Sequence, residues 1–432
     1  MRVDLQAEID EAPIGKLHFI VPGLCFCVLF LDGLDLQIIS YTAPLIAADL
    51  GITDSRLGWI FSAGLAGTAV GPFLLAPLGD YIGRKKTLII SLNLFGGLVF
   101  LTPFADSLWT LMAIRFFTGI GLGGAIPNAL TLVAEIVPVR HRGLTISFTY
   151  IGFILGGAAA GVLVIQALQW FDWKAAFYIS GALPMGLGLV LLGALPESLH
   201  FLVKSGKKQA EVARLLSRLT GTRNYPEGIH FHLKDGATKT SVASLFSGGR
   251  GRNTILLWLA MFVNLVALFG LLNWAPTLIS QAGGELDRAI WLVVYFWGAG
   301  AFGALALVWL SRRFGTRKML VMYLLAGSVF VAGMGANGTE DEFIVWMAIF
   351  AGFFAAGGQI GFYPILVQIY PAPIRVMGIG WAQGWGRMGG IAGPLVIGGL
   401  VAANLPFGGY FLVMGAPILL SGIAVLFLHY KQ

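Results

Sequence analysis

A chain of 432 residues that is 57% hydrophobic and 11% charged lacks the polar surface of a water-soluble enzyme, since soluble domains carry roughly 25% charged residues. The bilayer is its expected solvent. The formal net charge of +7 follows from topology and contact with anionic lipid headgroups, and needs no nucleic-acid partner.

In chain order, the opening segment carries Asp4, Glu8, Asp10 and Glu11 and does not read as a cleavable leader. Apolar stretches follow over residues 17–43, 57–78, 87–104, 108–133, 143–168 and 175–195. After a polar interval, six more run over 253–279, 289–310, 319–336, 343–368, 378–402 and 409–428. Most reach the ~20 residues that cross a hydrocarbon core as helix. The expected fold is an all-α membrane protein with twelve transmembrane helices in two pseudo-symmetric six-helix bundles. The expected units are residues 1–195, a linker at 196–252, and 253–432. Within the linker, Lys207–Leu219 reads as an amphipathic helix with Val212, Leu215, Leu216 and Leu219 on its apolar side, ended near Gly221 and lying at the membrane surface. Cys25 and Cys27 sit two apart in the first span with no second pair, which excludes disulfide and metal readings.

With both termini cytoplasmic, 23 of the 28 Lys and Arg fall on the cytoplasmic side and only Arg56, Lys174 and Arg288 on the other. Arg115 and Arg387 remain inside spans. A shift of 232 or 233 positions brings the halves into register: Leu78-Gly79-Asp80-Tyr81-Ile82-Gly83-Arg84-Lys85-Lys86 overlies Leu310-Ser311-Arg312-Arg313-Phe314-Gly315-Thr316-Arg317-Lys318. Pro138 then meets Pro371, and Arg142 meets Arg375.

Gly119-Ile120-Gly121-Leu122-Gly123-Gly124 matches a dinucleotide fingerprint only formally, because it sits inside an apolar helix with no preceding strand. Close helix packing is the expected role, as for Gly67 and Gly71, Gly152 and Gly156, Gly157 and Gly161, Gly380 and Gly384, and Gly386 and Gly390. No HExxH, Walker loop or nucleophile elbow is present. An enzymatic reading has no residues to rest on.

Ionisable groups inside spans cost at least ~2.5–3.5 kcal/mol on insertion scales, so each needs a reason. Asp32 and Asp35 lie three apart on one face of the first helix, with Gly33 between them to admit a backbone or a ligand. Two such carboxylates do not both ionise easily, so one can bind and release a proton; pairing with an arginine is the competing role. A buried guanidinium suits an organic carboxylate through two parallel hydrogen bonds, which makes Arg115 and Arg387 candidate ligands for substrate or fixed partners of Asp32 and Asp35. Trp274, Tyr363, Trp381 and Trp385 are candidates to stack on a flat substrate, against packing or an interfacial belt. Gln359 and Asn273 are candidates to orient a substrate hydroxyl, against interhelical bonding.

Twelve spans in six-plus-six order, with Gly79-Asp80-Tyr81-Ile82-Gly83-Arg84-Lys85 after the second, resemble the major facilitator superfamily. Ala76 and Tyr81 depart from its signature, and Arg312 replaces the aspartate in the second copy. Within the superfamily the chain is similar to the aromatic acid:proton symporter family. Asp32-Gly33-Leu34-Asp35 matches that family's DGxD motif. Further likenesses are Arg115-Phe116-Phe117-Thr118-Gly119 with Gly123-Gly124-Ala125-Ile126-Pro127-Asn128, Trp274-Ala275-Pro276-Thr277, and Gly380-Trp381 with Gly386-Arg387-Met388-Gly389.

The resemblance implies import of a benzoate-type acid with a proton, transport-essential Asp32 and Asp35, and charge-partner or substrate roles for Arg115 and Arg387. Asn128 joins the candidate substrate contacts through the fourth-helix motif. Asp80, Arg84, Glu135, Arg142 and Arg375 are the implied gate residues, with Asp80 and Arg84 a cytoplasmic latch that holds the outward-open state, against a role that only anchors the loop. No cofactor beyond the coupling proton is implied. The expected setting is a plasma (inner) membrane, with lipid as the only other partner and the monomer as the working unit. The tenth helix, Gly358-Gln359-Ile360-Gly361-Phe362-Tyr363-Pro364, is bulkier than the family pattern and leaves the identity of the acid open. Rival readings are a carrier of another organic anion or sugar acid, a drug:proton antiporter and a sensor. Pro196-Glu197-Ser198 favours the sugar reading, a fifth span without proline disfavours the antiporter, and the lack of a signalling domain disfavours the sensor.

Overall fold

The computed structural model describes residues 2–205, 209–221, 225, 229–232, 241–339 and 341–429. A strand β1 (Arg2–Asp4) leads into a short helix α1 (Leu5–Glu11), whose start is capped by the Asp4 carboxylate accepting from the Gln6 amide. Six long helices follow: α2 (Leu17–Leu50), α3 (Leu57–Ile82), α4 (Arg84–Leu101), α5 (Leu108–Ile136), α6 (Val139–Trp170) and α7 (Trp173–Ala194). Two short helices, α8 (Leu199–Lys204) and α9 (Gln209–Thr220), and a strand β2 (His230–His232) form the connection. The second series is α10 (Gly251–Gln281), α11 (Leu286–Phe314) and α12 (Thr316–Gly333), then an interrupted tenth span, then α16 (Ala372–Ala402) and α17 (Phe407–Leu426). The tenth span is α13 (Glu342–Ala351), a π-turn at Gly352–Ala356, α14 (Gly357–Gln359) and α15 (Phe362–Ile369). Among the described residues, eleven of the spans are long and apolar enough to cross a membrane. The other, α16, is 31 residues long and carries Gln383 and Arg387 in a glycine-rich sequence.

The helices overrun the apolar stretches read from sequence. The first continues past Pro44 to Leu50 and stops where Gly51 turns into the left-handed region at φ 62°.

The duplicated loop appears in the backbone itself. Gly83 and Gly315, 232 positions apart, each start the next helix from a positive φ, 105° and 88°. Close helix contacts repeat with the same offset. A Cβ at Gly156 would strike the Phe30 carbonyl, and at Gly389 the Phe262 carbonyl. Gly119 against Gly64 is matched by Gly352 against Phe296, and Gly71 against Ile120 by Gly303 against Phe353. These glycines let carbonyl-bearing backbones touch where lipid gives no hydrophobic drive for helix association. The run at 119–124 belongs to this packing, since Gly119, Gly121, Gly123 and Gly124 abut α3 and α4. Gly33 likewise sits under the Phe153 carbonyl of α6. Gly380 and Gly384 differ, for nothing lies within 4 Å of where their Cβ atoms would be.

The apolar side of α9 is covered by protein instead of lying on a membrane surface. Val212, Leu215, Leu216 and Leu219 are buried, with Leu5 and Ile9 of α1 beside the same cluster. Lys207, at the head of the expected helix, lies outside the described residues. β1 pairs in parallel with β2, Val3 opposite Phe231, and the Tyr225 hydroxyl donates to Glu8. The opening segment and the connection thus form one small cap at the basic end of the bundle.

Hydrogen bonds between the two series of spans lie at mid-depth and toward the opposite end. Gln37 Nε2 donates to Leu272 O at 2.9 Å, Ser40 Oγ bonds the Leu272 and Asn273 carbonyls, and Ser62 Oγ the Ile391 carbonyl. Gln281 reaches Asp54 at 2.7 Å, and Trp297 Nε1 faces Gln37. Glycines close the same region: Gly58 meets Pro394, Gly157 meets Trp297 and Gly398 meets Ser55. These contacts close the end of the bundle far from the basic loops.

Candidate functional site

The middle of the bundle holds two acids in different circumstances. Asp35, 1% exposed, takes two parallel bonds from Arg115 of α5, Nη1 to Oδ1 at 3.0 Å and Nη2 to Oδ2 at 2.8 Å. That bidentate pair is complete and sealed. The space beside it is about 10 Å³, room for one water, and is lined by Ile60, Phe61, Thr68 and Asn273 among others. Asp32, one turn earlier and 4% exposed, has no such partner: among the described residues nothing donates to its Oδ2. The cation acting on it is Arg387.

Arg387 enters from α16, half-buried, and donates one Nη to the Thr68 carbonyl of α3, which joins the two series at mid-depth. Two phenols complete the surroundings, Tyr150 of α6 and Tyr363 of α15, which interact with each other and with Arg387. Asp32, Tyr150, Tyr363 and Arg387 thus come from four helices, two in each series. Tyr150 escaped the sequence reading because one tyrosine in an apolar helix carries no signal of its own. Gln359 lies four residues before Tyr363 and accepts from Asn264 of α10 at 2.6 Å.

Other sequence-predicted residues stand elsewhere. Trp274 is fully buried, donates Nε1 to the Pro394 carbonyl at 2.9 Å and meets Phe61 edge-on at 5.8 Å. It is a brick of the closed end. Trp381 and Trp385 stack on Trp258 at 5.9 and 5.8 Å and remain 44% exposed. Trp385 is two residues from Arg387, about 200° round the helix, so it faces away from the charge cluster. Asn128 bonds the Gly124 and Leu75 carbonyls and packs on Gly79, tying α5 to α3. Asn273 bonds the Phe269 carbonyl of its own helix.

The predicted gate residues gather at the basic end. Arg84 is ion-paired with Glu135 and reaches Asp80 at 3.4 Å. Glu135 also accepts from Ser198 Oγ, with His200 Nδ1 3.4 Å away. Glu197 accepts from the Lys85 and Ser198 amides at 3.0 and 2.9 Å. Every member belongs to α3, α4, α5, α8 or the turn before it, so, among the described residues, Asp80 and Arg84 lock the first series to itself instead of latching it to the second. Pro196-Glu197-Ser198 has a packing role here, and the part played by Ser198 and His200 was not visible without the fold. In the second copy Arg312 and Gln368 replace the two acids and Thr316 replaces Arg84, while Arg317, the counterpart of Lys85, bonds the Leu426 carbonyl as Lys85 bonds that of Leu192. Arg142 and Arg375 keep their symmetry: each reaches the carbonyl five residues earlier, at Val137 and Tyr370, where a span ends.

His200 sits with cations. Burial first, then Arg84 and Arg142, push its pKa from 6.5 down to about 4. It is neutral in the folded protein near pH 7. Because the unfolded chain binds the proton first, the corresponding stability is present above pH 6.5 and is lost as pH falls toward 4. Thermal unfolding of purified parent and His200→Gln protein should therefore give curves that diverge only below about pH 6.5, the parent losing more. Parallel curves across that window would show that His200 is not held neutral.

The model of the Major Facilitator Superfamily matches residues 25–290 and 257–432. The chain belongs to the major facilitator superfamily. It is 32% identical over 427 residues to the 4-hydroxybenzoate transporter PcaK of Acinetobacter baylyi, covering 98% of this chain and 93% of that one. It is 31% identical over 424 residues to the gallate transporter of Pseudomonas putida, covering 98% and 94%. These likenesses place it with the aromatic acid transporters of the superfamily, and with membrane carriers instead of enzymes. Among solved structures, the inward-open xylose transporter XylE from E. coli superposes with a TM-score of 0.74 at 16% identity, covering 96% of this chain and 97% of that one. At that identity the likeness is one of fold.

Proposed function

We propose that this chain is a proton-coupled symporter that imports a small aromatic carboxylate of the benzoate or hydroxybenzoate type by alternating access. The observation that carries the reading is the unpartnered Asp32 carboxylate beside Arg387, while the neighbouring Asp35 is neutralised by Arg115. A proton on Asp32 removes a negative charge from the cleft and leaves Arg387 for the substrate carboxylate. When Asp32 is ionised, it competes with that carboxylate for the same cation. Coupling follows because proton and acid occupy the site together. The names of the two relatives support the substrate class.

The basic end is the cytoplasmic one under the positive-inside rule, so both termini lie in the cytoplasm of a cell whose inner membrane holds the protein as a monomer. The end closed by Trp274, Gln37 and Ser40 is then the outer one. Outward opening requires parting Trp274 from the backbone of α16 and Gln37 and Ser40 from α10, all without breaking the Asp35–Arg115 pair.

The test is uptake of labelled benzoate and 4-hydroxybenzoate into cells expressing the chain, with external pH varied. Uptake should rise as external pH falls and should collapse when a protonophore is added. Arg387→Lys, which keeps the charge but loses the planar fork, should raise KM about tenfold or more. Uptake that ignores both pH and protonophore would reject proton coupling; an unchanged KM in Arg387→Lys would remove Arg387 from the substrate site.

A further inference from the structure

We infer that Asn264 and Gln359 together read a hydroxyl group on the ring of the transported acid, opposite its carboxylate. The inference rests on the aromatic-acid reading above and adds two specificity-determining residues to it. Asn264 of α10 is fully buried and donates Nδ2 to Gln359 Oε1. Asn264 Oδ1 is buried with no donor among the described residues, and an acceptor left in that state costs about 1–3 kcal/mol. Gln359 is half-buried, and with its Oε1 engaged its remaining polar end is the amide donor Nε2. The pair therefore offers one acceptor and one donor. A hydroxyl group is the small substituent that satisfies both, donating its hydrogen and accepting on its oxygen.

The placement brings the amide pair near Arg387. Tyr363, which interacts with Arg387, follows Gln359 by four residues, across the break at residues 360–361. Leu265, next to Asn264, packs where a Cβ on Gly386 would be, adjacent to Arg387. The carboxylate at Arg387 and a hydroxyl at the amide pair thus bracket one aromatic ring. The interrupted course of the tenth span supports this, since the π-turn at Gly352–Ala356 precedes Gln359 and sets the face it presents.

The experiment measures KM for benzoate, 3-hydroxybenzoate and 4-hydroxybenzoate in the parent, Asn264→Leu and Gln359→Leu. In the parent the 4-hydroxy acid should be favoured over both others. In either variant the KM ratio of benzoate to 4-hydroxybenzoate should fall about tenfold, because the hydroxyl loses its partner. Two amide positions are tested so that a folding failure at one leaves the other to decide. No preference for the hydroxylated acid in the parent, or a ratio unchanged in the variants, overturns the inference while benzoate transport still stands. A parent that carries none of the three acids overturns the aromatic-acid reading itself, and this inference with it.

Discussion

Asp32→Asn protein is expected to lose uphill accumulation of its acid while still exchanging labelled for unlabelled acid across the membrane. The amide imitates a carboxyl that always holds its proton, so the loaded carrier can exchange its acid but the empty carrier has no proton to release on its return. One unit of pH is worth about 1.36 kcal/mol per proton, or tenfold in concentration. A monoanion carried with one proton is neutral, so the parent should accumulate it ~10-fold per pH unit and the variant ~1-fold. Proteoliposomes with an imposed pH gradient read the first quantity, and counterflow without a gradient reads the second. Accumulation by the variant at the parent's level, with its pH dependence kept, would assign proton coupling to another group.

The second large effect concerns the sealed pair. Arg115→Gln should leave Asp35 buried without its two donors, at a cost of about 3–5 kcal/mol. The membrane yield and the unfolding temperature of purified protein should both drop sharply. Asp35→Asn combined with Arg115→Gln removes both charges at once and should recover most of that loss. Such recovery is the signature of coupling between the two side chains. If the single variant is as stable as the parent, or the double variant is worse than either single, the pair is not the structural unit the geometry describes.

The chain's architecture was legible because it rests on composition and on sequence repetition. Apolar run lengths located the spans, and the 232-residue offset that aligns Gly83 with Gly315 is the same offset that relates the packed glycines. Reading which acid acts was harder. Asp32 and Asp35 are equivalent in the sequence, and only the positions of Arg115 and Arg387 on other helices separate them. Trp274, Trp381 and Trp385 illustrate the opposite difficulty: aromatic character is visible, but whether an indole faces a cleft, a neighbouring span or the outside depends on helix rotation. Asn264 and Tyr150 were passed over because a single polar residue in a span becomes informative only once its counterpart, here Gln359 or Tyr363, is seen. The amphipathic pattern of α9 was correctly located, yet amphipathicity alone does not say whether lipid or protein covers the apolar side.

The strand pairing of β1 with β2 has a consequence for biosynthesis. Val3 leaves the ribosome first, but Phe231 is made only after six spans have been threaded into the bilayer. At about 5–20 residues per second, the opening segment waits on the order of ten seconds or more for its partner strand. The cap is therefore a late event in assembly, added to a first bundle already inserted. A peptide fused ahead of residue 2 would meet that closing step and not the insertion that precedes it.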